Sequence, residues 1–259
     1  MFERLAFTLA EVLITLGIIG VVAALTLPGL IQKYQEQAAI SNLKKAYSML
    51  SQAYRRAIEE YGPVSDWCTD SEKQTLECSY KSYDILGRYI KGDLVQGKYN
   101  YGVYKRRDGS IFTQFGEKNP NAHYSQPTIP FGLHNGMYVW ISMNSSPLGC
   151  CTDTQDTTRN RWGCECGKLL VDLNGSESKP NIDGVDLFGF KIFTDGISPQ
   201  GTRYDNYWYP YTFEDQCAGN QITSSGRGMC TAWVLENNNL DYLRCPKELG
   251  WTKAPSCSK

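Results

Sequence analysis

The chain has 259 residues, of which 41% are hydrophobic, and its formal net charge at pH 7 is −1. This length is sufficient for one sizeable domain beyond a membrane anchor. A net charge close to zero creates no overall field that attracts nucleic acid, so we expect no nucleic-acid partner.

The N-terminal segment is the most apolar part of the chain. Residues 12–31 contain no charged side chain, and a helix of this length covers about 30 Å, the thickness of a bilayer core. We therefore predict a membrane-spanning helix over residues 7–31. Glu11 lies at the edge of this run, where an ionised carboxylate needs a partner or the headgroup region. It is therefore a candidate functional residue.

Residues 6–14 read Ala-Phe-Thr-Leu-Ala-Glu-Val-Leu-Ile and resemble the processing site of type IV pilins and type II secretion pseudopilins. The resemblance implies that residues 1–6 are a leader, which a prepilin peptidase removes by cutting between Ala6 and Phe7. The same enzyme methylates the new amino group of Phe7. Glu11 is then the fifth residue after the cut, where the family keeps a glutamate that neutralises the N-terminal amine of a neighbouring subunit. Ala6 stands where the family usually has glycine.

The resemblance also implies a function. The chain is expected to be a structural subunit of a type IV pilus or type II secretion filament, not an enzyme. Its expected partners are other pilin or pseudopilin subunits, the prepilin peptidase and an inner-membrane assembly platform. The expected location is the bacterial inner membrane, crossed once, with the globular domain periplasmic, or extracellular in the assembled filament. The alternative function is a minor pilin that acts as an adhesin or a ligand-binding tip protein.

Two other interpretations of the N-terminal segment stay open. A secretory signal would be cleaved after a small-residue site such as Val22-Ala23-Ala24, although Glu11 would interrupt the start of its apolar core. A plain membrane anchor explains the length of the run but not the residues around the proposed cut.

Residues 32–63 are predicted to extend the helix with one apolar face, because apolar residues recur every three or four positions. Gly62 and Pro63 are expected to end it. Pro28 removes a backbone donor upstream, so a kink is expected there. The apolar stripe consists of Ile40, Leu43, Tyr47, Leu50, Tyr54, Ala57, Ile58 and Tyr61.

Residues 64–259 are expected to form the exported globular domain. The predicted fold class is α+β and pilin-like, with the long N-terminal helix packed on an antiparallel sheet and a disulfide-rich irregular C-terminal region. Strands are predicted where apolar runs end in turn sequences, at residues 131–133, 137–143, 168–173 and 188–194. Weaker patterns predict a helical turn or two over residues 84–90, paired strands over 99–105 and 110–115, and a strand over 231–236.

All ten cysteines follow the membrane segment, and an even number in an exported domain is typical of disulfides. Their spacing does not fit the paired pattern that zinc usually requires. Proximity along the chain predicts the pairs Cys68–Cys78 and Cys245–Cys257. The ten candidates are Cys68, Cys78, Cys150, Cys151, Cys164, Cys166, Cys217, Cys230, Cys245 and Cys257.

Oxygen-bearing side chains collect after the predicted strand at residues 168–173. Asp172, Asn174, Asp183 and Asp186 are candidate ligands for calcium, which takes six to eight oxygens. Asp and Asn before glycine also form turns without any ion, and we favour that interpretation. Calcium is the one cofactor considered.

The run at residues 203–213 is strongly aromatic. An exposed run would bind a glycan or a partner, whereas a buried run would pack on the core, which is the favoured interpretation. The sequence contains neither a nucleophile elbow nor a glycine-rich phosphate loop of the expected form. We therefore predict no catalytic activity.

Overall fold

The computed structural model describes most of the chain, in two compact units, Met1–Ala38 and Ala39–Lys259. We call them the N-terminal unit and the globular unit. The described residues are 8–68, 76–90, 92–94, 104, 105, 107, 109, 111, 112, 129–133, 135–143, 150, 165–175, 178–204, 213–219 and 228–258.

Helix α1 spans Leu9–Tyr61 and begins in the N-terminal unit. From residue 12 to residue 31 it is apolar on every face, and its large side chains are exposed, as for Leu25 with 79% of its surface accessible. Pro28 lies inside the helix. Within the described residues, α1 is the one helix long and apolar enough to cross a membrane.

The globular unit contains a six-stranded antiparallel sheet with strand order β1-β4-β5-β6-β7-β8 and a separate antiparallel pair, β2-β3. A hairpin turn joins β4 to β5 through Asn135 and Gly136, and Gly136 takes a positive φ of 86° there. The strands are β1 Gly92–Leu94, β2 Tyr104–Lys105, β3 Ile111–Phe112, β4 Ile129–Leu133, β5 Tyr138–Met143, β6 Gly167–Asp172, β7 Leu187–Phe193 and β8 Gly196–Pro199.

The two faces of the sheet bury two different sets of side chains, because successive residues of a strand point to opposite faces. One set belongs to the main core and includes Val139, Leu169 and Phe190. The other is a small cluster around Trp140 and Leu187. All seven residues of β7 are buried, so this strand, which lies next to the edge strand β8, is covered on both faces.

The part of α1 in the globular unit packs its apolar stripe into the main core. Leu43 and Leu50 are fully buried, and the Tyr47 ring stacks on Phe190 with centroids 5.6 Å apart. The buried Tyr54 hydroxyl donates to the Phe193 carbonyl oxygen at 2.6 Å. The predicted stripe is therefore the face that contacts the sheet, and the α+β class is confirmed.

Two shorter helices complete the unit, α2 at Leu76–Gly87 and α3 at Thr231–Asn237. The strand predicted over residues 231–236 is wrong, because this segment is α3. Asn238 ends α3 in the left-handed conformation, and its N–H donates to the Val234 carbonyl, which is a typical helix stop.

The structure also changes the bounds of the other elements that the weaker sequence patterns predicted. The helix expected over residues 84–90 begins earlier, at Leu76, and ends at Gly87. The paired strands expected over residues 99–105 and 110–115 are the pair β2-β3, each two residues long in the described part of the chain.

Candidate functional site

The first turn of α1 is closed by Thr8 and Glu11. The backbone N–H and the hydroxyl of Thr8 both donate to Glu11 Oε2 at 2.8 Å, and the Glu11 N–H donates to the Thr8 hydroxyl oxygen at 3.2 Å. This reciprocal arrangement is a capping box, in which two backbone donors of a helix start are satisfied locally. The sequence signal was Thr-x-x-Glu before an apolar run, and it was missed.

Glu11 therefore has a local role in the isolated chain. A carboxylate that accepts two hydrogen bonds from one residue is held at the helix start. Ala6 and Phe7 lie outside the described residues, so the cleavage site stays a prediction.

The surface that follows Glu11 is apolar around the whole helix. Leu13, Ile18 and Leu25 are all more than half exposed. Exposed apolar area of this extent in water is unfavourable at roughly 25 cal/mol per Å². Such a surface is typical of a helix that lies in a bilayer or packs against other apolar helices.

The candidate calcium ligands lie at the ends of β6 and β7. Asp172 Oδ1 accepts the backbone N–H groups of Asn174 and Gly175, at 3.1 and 3.0 Å. The Asn174 amide in turn donates to the Lys179 carbonyl oxygen at 3.2 Å. These bonds define a turn built on an aspartate.

Asp186 closes a second turn in the same connection. Its two carboxylate oxygens accept the N–H groups of Asn181 and Ile182, at 2.7 and 2.6 Å. Burial is the main effect that raises the pKa of Asp186, to about 6, and the nearby charge of Asp172 raises it further. The two N–H donors act in the opposite direction.

Asp183 is directed to another segment, since its Oδ1 accepts the Gly228 N–H at 2.8 Å. The structure thus brings Asp172 and Asp186 near each other and uses all three carboxylates to hold backbone. Among the described residues, no group of three or more His, Cys, Asp or Glu side chains is placed to hold a metal ion. Asp172 and Asp186 thus hold turns and Asp183 holds a distant segment, and calcium binding stays a prediction.

The aromatic run has one exposed and one buried end. Tyr204 is 62% exposed, whereas Phe213 is fully buried and stacks on Trp233 with ring centroids 4.0 Å apart. Trp251 packs 5.3 Å from Trp233. Residues 205–212 lie outside the described part of the chain. At its C-terminal end, therefore, the run belongs to the core.

Disulfides hold the globular unit at several points. Both pairs predicted from proximity form disulfide bonds, and two further disulfide bonds are present among the described residues. Cys151 and Cys164 lie outside the described residues. The described bonds are Cys68–Cys78, Cys150–Cys166, Cys217–Cys230 and Cys245–Cys257.

One protein family matches the chain. Its description is "Family of unknown function (DUF6613)", and the match covers residues 29–240. The match starts just after Pro28, so it contains the predicted amphipathic extension and most of the globular unit. No curated protein and no solved structure matches the chain.

Proposed function

The chain belongs to the DUF6613 family, and we propose that it is a structural subunit of a type IV pilus or type II secretion filament. In this proposal a prepilin peptidase removes residues 1–6 in the bacterial inner membrane. The subunit then assembles through its N-terminal helix with other pilin or pseudopilin subunits on an inner-membrane platform. The globular unit lies in the periplasm, or outside the cell in the finished filament.

The observation that carries the proposal is the division of α1 into two kinds of surface. Before Pro28 the helix is apolar all round and exposed, as suits a membrane or a bundle of helices. From Ile40 it presents a stripe that is buried within a folded α+β unit. A single anchored helix that is also a core element of its own domain supports a filament subunit.

Two further features support the exported location and the assembly contact. Disulfides persist in oxidising compartments such as the periplasm, and four are present among the described residues. Glu11 is the one acidic residue at the edge of the apolar run. Inside a bundle of apolar helices its charge would be stabilised only by an opposite charge, such as the amine of a neighbouring subunit.

The test separates the capping role of Glu11 from an assembly role. Glutamine also serves in a capping box, so Glu11→Gln retains the local hydrogen bonds while removing the charge. If the charge pairs with an amine, Glu11→Gln and Glu11→Ala both lower the yield of sheared filaments or sedimentable assemblies by at least about tenfold. This estimate follows because removal of one partner of a buried pair costs ~3 kcal/mol or more.

The matched control is Glu36→Gln, a charge removal in the same helix and unit, which should leave the assembly yield unchanged. Immunoblots of the membrane fraction establish that every variant is inserted in equal amounts. Normal assembly of Glu11→Gln beside defective Glu11→Ala would reduce Glu11 to a helix cap and contradict the proposal.

A further inference from the structure

An open groove of about 540 Å³ runs along the exposed side of α1 in the globular unit. Lys45, Ser48, Gln52 and Arg56 line it from the helix, at intervals of three or four residues, so they share one face. Tyr89, which follows α2, forms the opposite wall. The groove is lined only by residues of the globular unit, and the proposed filament function does not use it.

The groove is positively charged. Lys44, Lys45 and Arg56 all line it and are exposed. Within the described part of the chain, these three cations form no ion pair, and no acidic side chain is among the residues that line the groove. Like charges on one concave surface repel, and a bound anion relieves this repulsion.

An acidic residue contacts the opposite wall of the groove. The Tyr89 hydroxyl donates to Glu60 Oε2 at 2.5 Å. That hydrogen bond is the main effect that raises the pKa of Tyr89, to about 12, and it also lowers the pKa of Glu60. Glu60 therefore holds the Tyr89 wall of the groove in place and is not itself one of the residues that line the groove.

The spacing of the charges indicates an elongated ligand. Positions 45 and 56 are eleven residues apart in one helix, a distance of roughly 16 Å at ~1.5 Å per residue. A single phosphate or carboxylate therefore cannot contact both ends. Between the cations, Ser48 and Gln52 offer hydrogen-bond donors and acceptors one turn apart.

From this arrangement we propose that the groove binds an extended acidic peptide segment of a partner protein, with acidic residues about five positions apart. An extended chain rises ~3.3 Å per residue, so five residues span the distance between the two ends of the groove. The N–H and C=O groups of the peptide would meet Ser48 and Gln52. Single-stranded nucleic acid fits less well, because its grooves stack successive bases on several aromatic rings and Tyr89 is the one aromatic ring among the described lining residues.

Fluorescence anisotropy with defined probes tests this proposal on the full chain in an uncharged detergent. The main probe is a labelled twelve-residue peptide with two Glu pairs, the first residue of one pair lying five positions before the first residue of the other. A peptide of equal composition with its four Glu adjacent tests the spacing, and an oligothymidylate of matched length tests nucleic acid. We expect saturable binding of the main probe, weaker binding of the other two, and a decline with added salt.

Two adjacent arginines provide the matched variants. Arg56→Gln removes a cation that lines the groove, whereas Arg55→Gln removes a neighbouring cation that is also exposed but does not line the groove. Arg56→Gln and Lys45→Gln should each weaken binding of the main probe by about fivefold, the upper range for an exposed ion pair. Arg55→Gln should change the affinity for this probe by less than twofold. Circular dichroism checks that all the variants are folded.

Several results would overturn the proposal. Equal weakening by Arg55→Gln and Arg56→Gln would mean that only overall charge matters. Equal or tighter binding of the oligothymidylate would assign the groove to nucleic acid, and equal binding of the adjacent-Glu peptide would remove the spacing argument. Absence of saturable binding by the main probe at millimolar concentration would show that the groove is a solvated surface. Each of these outcomes leaves the Glu11 assembly test unaffected.

Discussion

The two parts of α1 are both helical but lie in opposite surroundings. Leu25 in the N-terminal unit is 79% exposed, and Leu50 in the globular unit is 1% exposed. The difference arises from the pattern of side chains around the helix, since residues 12–31 are apolar on every face, whereas the part in the globular unit is apolar on a single stripe. The two parts of one helix therefore have separate roles: one contacts an apolar environment, and the other forms part of a domain core.

The sharpest way to test this comparison is to remove the same side chain from each part. Leu50→Ala should lower the free energy of unfolding of the globular unit by about 3 kcal/mol, through lost apolar burial and the cavity that remains. Leu25→Ala should change it by less than about 0.5 kcal/mol. Urea unfolding in detergent, followed by tryptophan fluorescence, measures both values. Equal effects would show that the two parts of the helix are not distinct.

The second prediction concerns charge buried in the globular unit. The folded-state pKa of Asp186 is raised to about 6, whereas an unfolded aspartate titrates near 4. The folded state therefore binds more protons between about pH 4 and 6, so its stability decreases as pH rises through this window. Asp186→Asn should make that decrease shallower by up to ~1.4 kcal/mol per pH unit.

Thermal unfolding of the wild type and variant across this pH range measures the slope. The control Glu36→Gln removes a carboxylate from the N-terminal unit, and the pH profile of the globular unit should keep its wild-type shape. An unchanged slope in Asp186→Asn would contradict the burial of this carboxyl.

The smallest expected difference in stability is between the substitutions of two tyrosines in the same helix. Tyr54 is 1% exposed and donates to the Phe193 carbonyl oxygen, so Tyr54→Phe should cost about 1 kcal/mol. Tyr34 lies in the N-terminal unit and is 75% exposed, so Tyr34→Phe should leave the stability of the globular unit within 0.5 kcal/mol. Equilibrium urea titrations of the two variants in parallel measure both losses of unfolding free energy. A larger loss for Tyr34→Phe than for Tyr54→Phe would contradict the placement of Tyr54 in the core.

The sequence predicted most reliably where a pattern repeats over many residues. The stripe through Leu43 and Leu50 identified the buried face of α1, because its period matches the helix. The strands β5, β6 and β7 were each located to within one residue at either end, since an apolar run bounded by turn residues leaves little choice of register.

Local patterns without a long period were harder to interpret. The segment at residues 231–236 contains Thr, Trp and Val, which favour strands, yet it forms α3. Burial decided the outcome, since Thr231, Trp233 and Val234 are all buried and Asn238 supplies the helix stop. The capping box of Thr8 and Glu11 was missed because the resemblance had already assigned the glutamate a role between subunits.

The turn residues show a different limit. The sequence placed Asp172, Asp183 and Asp186 in one connection, but it could not show which donor each carboxylate meets. Asp183 bonds to Gly228, which is 45 positions away in the chain. Only the fold determines a contact over such a separation, so metal ligands and turn-forming carboxylates look alike in the sequence.

Mass spectrometry of the N-terminus, on protein from the native membrane fraction, tests the proposed filament function most directly. We predict a mature chain that begins at Phe7 with a methylated amino group. This is the amine that we propose to pair with the Glu11 carboxylate of a neighbouring subunit. A chain that retains Met1, or one that begins after Ala24, would contradict it.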